Sequence, residues 1–318
     1  LRIIKQQPGS VKAAEAQLAL AMTYYQARAY SGAFSEFRKV VTDYAVGLYT
    51  ADAQYYIAQS HLNLRQYSLT IDEAKKSLNT FPGSKWADAC QYILALSNYE
   101  LGQNQGTIQE INNMVSSYPS SKYVVDAYTL LGNVFKRQQK YQEAIEAFRK
   151  ITLQSSSIEE RVKTALEIGG VRSLLKDYDG AILEFRKAVD LAQDAARKAT
   201  ARYNIASAYF MKGEKQKALE EFQSVADQFP REDIAAYASL QVGYCLMEQA
   251  ELEKAIDQFK KTDSAFPDFP QRDLLLFFTA KSYIELGKPQ LAMQYLHQLI
   301  AKYPTSSLRA AAEKMLGG

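Results

Sequence analysis

Histidine and cysteine are close to absent from this chain: 318 residues hold two of each, His61, His297, Cys90 and Cys245. Two histidines leave a histidine-built metal site little to work with. Long apolar runs are missing as well, none approaching the roughly 18 residues of a membrane span, so direct membrane insertion is not expected. Neither sign of charge dominates, with 38 Lys and Arg against 35 Asp and Glu. The net charge of +3 argues against a dedicated nucleic-acid surface. The basic tilt between Arg161 and Lys217 is interleaved with Asp and Glu and reads as a solvated helical face. No P-loop, G-x-G-x-x-G or G-x-S-x-G occurs. Glu159-Glu160 and Glu220-Glu221 are adjacent in sequence, so on a helix they point apart and form no catalytic dyad. These absences leave no catalytic residue, no metal and no cofactor to predict.

What is present is order. From Ala144, steps of 37 residues in either direction land on a small residue or Thr every time: Ala33, Thr70, Thr107, Ala144, Ala181, Ala218, Ala255, Ala292. A second series at the same period is Ala21, Ala58, Ala95, Gly132, Gly169, Ala206, Gly243, Ala280. Such self-similarity is the mark of a repeat architecture, which grows by addition and needs no central core. Each unit reads as a first helix of four to five turns with its small residue midway, a short turn, and a second helix. Second helices start near Tyr30, Tyr67, Tyr141 and Tyr178, with Pro289 in that slot in the eighth unit, where a helix needs no N–H. Four residues after the second helix's small residue stand Phe37, Ile111, Phe148, Phe185, Phe222, Phe259 and Leu296, on the same helical face. Ala74 is the exception in the second unit. Gly169-Gly170 falls where the repeat requires close packing, which accounts for it without a phosphate cradle.

The second helix stops at an aromatic–proline pair in five units: Phe81-Pro82, Tyr118-Pro119, Phe229-Pro230, Phe266-Pro267 and Tyr303-Pro304. Proline disfavours helix in the residue before it. Ser84, Ser121 and Ser306 then stand where an N-cap for the next helix is expected. Ala45, Ser156 and Gln193 replace the proline in the other units, and the boundaries near Ser155–Ser157 and Ala192–Ala199 are less sharply marked. The phase is never lost, so the expectation is a single array over 1–318. Its parts are a helix tail over 1–9 with Pro8 in a linker slot, units from about 10–46 to 269–305, and a capping helix over 306–318. A second-helix tail whose first helix is missing also implies a piece of a longer chain, with further repeats or domains upstream. Cys90 and Cys245 lie about four repeats apart, roughly 40 Å in a stack. That is far beyond the ~7 Å Cα separation a disulfide tolerates. Both read as buried thiols, His61 as a packing residue and His297 as exposed.

Tyr128-x-x-Leu131-Gly132-x-x-Phe135, followed by Ala144-x-x-x-Phe148, resembles the tetratricopeptide repeat (TPR) signature. The period is longer than that family's usual length of about 34, and the extra residues fall in the link after each proline. With its Phe/Tyr-Pro-x-Ser pattern, that link is similar to the one in bacterial envelope TPR proteins. Examples are the lipoprotein of the outer-membrane barrel-assembly machinery and the Tol–Pal-associated coordinator. The resemblance implies an all-α fold, a right-handed α-α superhelix of eight helical hairpins plus partial terminal helices. It also implies that the first helices line a concave groove where partners bind. The slots three before, one after and four after the first helix's small residue share one face by periodicity. On that face the candidate partner-binding residues are Tyr25, Tyr55, Tyr92, Tyr99, Asn133, Lys136, Arg137, Tyr203, Phe210, Tyr244 and Phe277. The face is aromatic towards both ends and turns polar and basic at Asn133, Lys136 and Arg137.

The carboxylate clamp by which some TPR proteins hold chaperone tails is not matched. Its lysine slot holds Leu18, Tyr55, Tyr92 or Thr129. The function expected from the resemblance is a non-enzymatic scaffold binding a peptide or protein segment in the groove. The setting it points to is bacterial cell-envelope assembly, periplasmic or outer-membrane-associated. A cytoplasmic location, and a docking or regulatory arm of a larger multidomain enzyme, are the alternatives.

Overall fold

The structure, a computed structural model, describes residues 3–4, 9–44, 47 and 49–317. The expected helix tail at the N-terminus, with Pro8 and Ala45, lies largely outside the described residues. Among the described residues there is no strand, and the fold is an all-α solenoid. Two compact units divide between Ser155 and Ser156, at one of the junctions without proline. The first contains α1 (Val11–Gln26), α2 (Tyr30–Asp43), α3 (Thr50–Asn63), α4 (Tyr67–Thr80), α5 (Ala87–Glu100), α6 (Asn104–Ser117), α7 (Val124–Arg137) and α8 (Tyr141–Gln154). The second contains α9 (Ile158–Leu174), α10 (Tyr178–Leu191), α11 (Ala195–Lys212), α12 (Lys215–Gln228), α13 (Ile234–Glu248), α14 (Leu252–Ala265), α15 (Arg272–Glu285), α16 (Pro289–Lys302) and α17 (Arg309–Gly317).

Every hairpin turns the same way. Arg28, Arg65, Gly102, Gln139, Lys176, Gly213, Ala250 and Gly287 recur at the 37-residue period, and all have positive φ. A left-handed residue there lets the next amide reach back over the helix end, as Lys140 N–H does to the Phe135 carbonyl at 2.9 Å. That bond satisfies a carbonyl the helix would otherwise leave unpaired. Second helices then lie against their first helices through the small–large contact, except in the second hairpin, where Ala74 takes the large slot. A Cβ added at Gly132 would sit 2.5 Å from the Phe148 ring, and one at Gly169 2.5 Å from Phe185. Phe37, Phe148, Phe222 and Phe259 are fully buried. Each contributes about 1.5–3 kcal/mol of transfer free energy.

A polar contact also recurs within the first three hairpins. Gln17, Gln54 and Gln91 each donate from Nε2 to a carboxylate on the facing second helix, Glu36, Glu73 and Glu110, at 2.6 Å. In the second unit the roles are exchanged: Gln258 on α14 donates to the Ser239 hydroxyl on α13 at 2.7 Å.

The linkers carry a correction. Ser84, Ser121 and Ser306 do not cap the helices that follow. Each hydroxyl accepts from the amide two residues on, Trp86, Tyr123 and Leu308, and closes a turn before the helix starts. Side-chain N-caps stand elsewhere: Ser10 accepts from Ala13 N–H, Ser157 from Glu160 N–H and Asp194 from Arg197 N–H. Each of these acceptors satisfies one of the amides that the first turn of α1, α9 or α11 leaves unpaired.

Candidate functional site

In the first unit the predicted residues fall on α1, α3, α5 and α7. Tyr25 is half-buried, its ring edge-on to Tyr30 at 5.4 Å and to Tyr56 at 5.1 Å, and its hydroxyl accepts from Asn63 at 3.0 Å. Tyr55 is buried, 7% exposed, beneath Trp86, the rings parallel at 4.3 Å. The Trp86 indole N–H donates to Asp52 at 2.8 Å. Tyr92 repeats the stacking one unit on, parallel to Tyr123 at 5.0 Å. Burial pushes the Tyr92 phenol up to about 12 and raises Tyr55 also. These two rings therefore spend most of their surface on the neighbouring hairpin.

Tyr99 is different. The exposed Arg137 guanidinium lies over its ring, 4.1 Å from the centroid, and donates to the Tyr99 carbonyl at 3.3 Å. Among the described residues no carboxylate lies within ion-pair distance of Arg137. Asn133, one turn back on α7, is half-exposed. Lys136 is half-buried, its ammonium 5.9 Å from the Phe148 ring centre.

In the second unit Tyr203 meets Phe222 edge-on at 5.3 Å, and burial raises its pKa. Phe210, Tyr244 and Phe278 form a chain of tilted rings at 5.6 and 5.3 Å, and Phe277 contacts Phe278 at 6.0 Å. Thus Tyr99 meets Arg137 and Phe210 meets Tyr244, while the other predicted rings find partners outside the predicted set. Trp86, Tyr123, Tyr30, Tyr56, Phe222 and Phe278 are those partners. One signal for the first two was visible: they stand one period apart, just before a first helix. His61 is buried against Phe34 and His297 is exposed. Among the described residues no group of three or more His, Cys, Asp or Glu could hold a metal ion. Among the described residues no helix is long and apolar enough to cross a membrane. What the face offers is aromatic edges beside a few oriented donors.

Comparison with known proteins agrees with this architecture. The family described as outer membrane lipoprotein (YfiO) matches residues 12–150. Tetratricopeptide repeat families match 129–196, 175–233 and 276–306. No curated protein matches significantly. Among solved structures, a tetratricopeptide repeat protein from Parabacteroides merdae is similar at 12% identity and a TM-score of 0.55, covering 85% of this chain and 99% of that one. The C-terminal part of a TPR repeat-containing protein from Cytophaga hutchinsonii gives 16%, 0.61, 82% and 99%. The apo form of the quorum sensor NprR from B. thuringiensis gives 13%, 0.52, 91% and 87%. At these identities the structures speak to the fold alone. Tetratricopeptide repeat families match in sequence over 129–233 and 276–306, and the hairpin geometry recurs at one period, so the chain is built of repeats of the tetratricopeptide type.

Proposed function

We propose that this chain is a non-enzymatic scaffold that holds an extended segment of a protein partner against the concave face of its first helices, in the assembly of a bacterial cell envelope. The observation that carries the reading is Arg137. Its guanidinium is exposed, oriented by the Tyr99 ring and carbonyl, and without a carboxylate of its own. A planar donor fork held in place before the ligand arrives loses little freedom on binding, and it suits a carboxylate. The half-exposed Asn133 nearby can pair with a peptide backbone. The segment recognised here carries an acidic side chain or a free C-terminus. The outer-membrane lipoprotein match over 12–150, together with the Pro-x-Ser linkers, supports the envelope setting.

The test is a cross-linked pull-down from the native cell with the full chain and its Arg137→Glu variant as baits. Charge reversal at an exposed site leaves the helices intact and is expected to lower capture by about tenfold. Equal capture by both baits would refute the role of Arg137. Partners found only among cytoplasmic proteins would refute the envelope setting.

A further inference from the structure

Within each unit, linkers that join a second helix to the next first helix lie side by side, and two such pairs flank a cavity open to solvent. In the first unit such a cavity, about 400 Å³, lies between Ser84–Asp88 and Ser117–Ser121. In the second unit its counterpart, about 390 Å³, lies between Pro230–Tyr237 and Ala265–Pro270. The two occupy the same repeat positions but differ in chemistry. In the first, the polar groups satisfy one another or near neighbours: Lys85 pairs with Asp52 at 2.7 Å, and the Ser121 hydroxyl donates to Asp88 at 2.7 Å.

In the second, that closure is gone. Ala236 takes the place of Asp88, and Phe269 the place of Ser121. Phe269 is buried, edge-on to Tyr237 at 4.9 Å, so an apolar contact holds the linker. Three new carboxylates, Glu232, Asp233 and Asp268, line the cavity, and among the described residues none has a cation within ion-pair distance. Against them stands one lining cation, Arg231. Arg272, nearby, is committed to Asp263 at 2.7 Å and to the Pro267 carbonyl at 2.8 Å. The carboxylates do not converge on one point, and among the described residues no group could hold a metal ion. An acidic rim around an aromatic wall fits an organic cation, whose charge meets the rim while its stem lies on Tyr237 and Phe266.

We propose that this inter-linker cavity binds an arginine or lysine side chain presented by an extended segment of a protein partner. The site is independent of the first-helix face. Titration of the full chain, with its alanine methyl groups labelled for NMR, by the capped tripeptide Ac-Pro-Arg-Pro-NH2 tests it. The Ala236 methyl is expected to shift saturably, and the glutamate tripeptide Ac-Pro-Glu-Pro-NH2 to leave it unmoved. Glu232→Gln with Asp268→Asn removes two of the three lining carboxylates and should weaken binding by about tenfold. Lys85 and Asp88 lie in the other cavity, so Lys85→Gln with Asp88→Asn should not change it. No shift at Ala236, an equal response to the glutamate peptide, or tighter binding of Ca²⁺ than of the arginine peptide would overturn the proposal.

Discussion

At the residue scale, the turn of each hairpin makes an unusual demand. Its left-handed residue is glycine in three hairpins, but Arg28, Arg65, Gln139, Lys176 and Ala250 hold φ near 60°. For an L-residue that conformation costs roughly 1–2 kcal/mol, partly offset because glycine loses more entropy on folding. Ala250, whose side chain has nothing polar to return, is the clearest case. Ala250→Gly is expected to stabilise the protein by about 1 kcal/mol, read as a higher urea midpoint at unchanged slope. The cysteines make a second residue-level case. Burial pushes the Cys90 thiol up to about 11 and the Cys245 thiol up to about 12. Both are buried, so neither thiolate nor access is available near neutral pH. An aromatic disulfide reagent should leave both untouched in the native protein and titrate both after unfolding in guanidinium.

At the scale of the helix pair, the contacts are of two kinds, and their energies differ. The small–large contact is set by volume: Phe148 fits because Gly132 has no side chain. The Gln–Glu contact is set by charge. The Glu36 carboxyl is pulled below its ordinary 4.5: burial works against this, but hydrogen bonds from Lys39 and Gln17 prevail. A carboxylate depressed on folding stabilises the native state above its unfolded pKa, and that contribution disappears as pH falls from 4.5 through the folded value. Glu36→Gln should therefore cost about 1 kcal/mol at neutral pH and almost nothing well below pH 4.5. Urea midpoints of the two proteins, compared at each pH, measure this. A gap that persists in acid would mean that the contact is packing and not charge.

At the scale of the whole molecule, the repeat makes stability a sum of neighbouring contacts. The second unit has its own buried clusters, around Phe222 and Val242, Phe259 and Leu275, and Leu296 and Ala312. The first has others around Phe37 and Cys90. A chain comprising residues 156–318 alone is thus expected to be helical and to unfold cooperatively in a circular-dichroism melt. A non-cooperative melt would show that its clusters do not suffice.

The period, the hairpin limits and the small–large pairs were legible in the sequence because each is a local pattern that repeats. Second helices start at Tyr30, Tyr67, Tyr141 and Tyr178, where the tyrosines mark them. Helical periodicity also placed Tyr55, Tyr92 and Tyr99 on one kind of helix face. It could not tell a covered ring from an open one. Tyr55 lies under Trp86 and Tyr92 against Tyr123, while Tyr99 carries the Arg137 guanidinium, and each outcome depends on a residue of the next hairpin. The linker serines went the same way: their sequence suits an N-cap, and the turn after proline gives the hydroxyl a nearer amide. The two inter-linker cavities differ only through residues brought together from neighbouring linkers. By itself, the sequence determined that this chain is a ladder of helical hairpins, since period and side-chain volume act along the chain. Which aromatic and charged groups stay free for a partner was decided by the tertiary structure, because exposure depends on what the neighbouring hairpin covers.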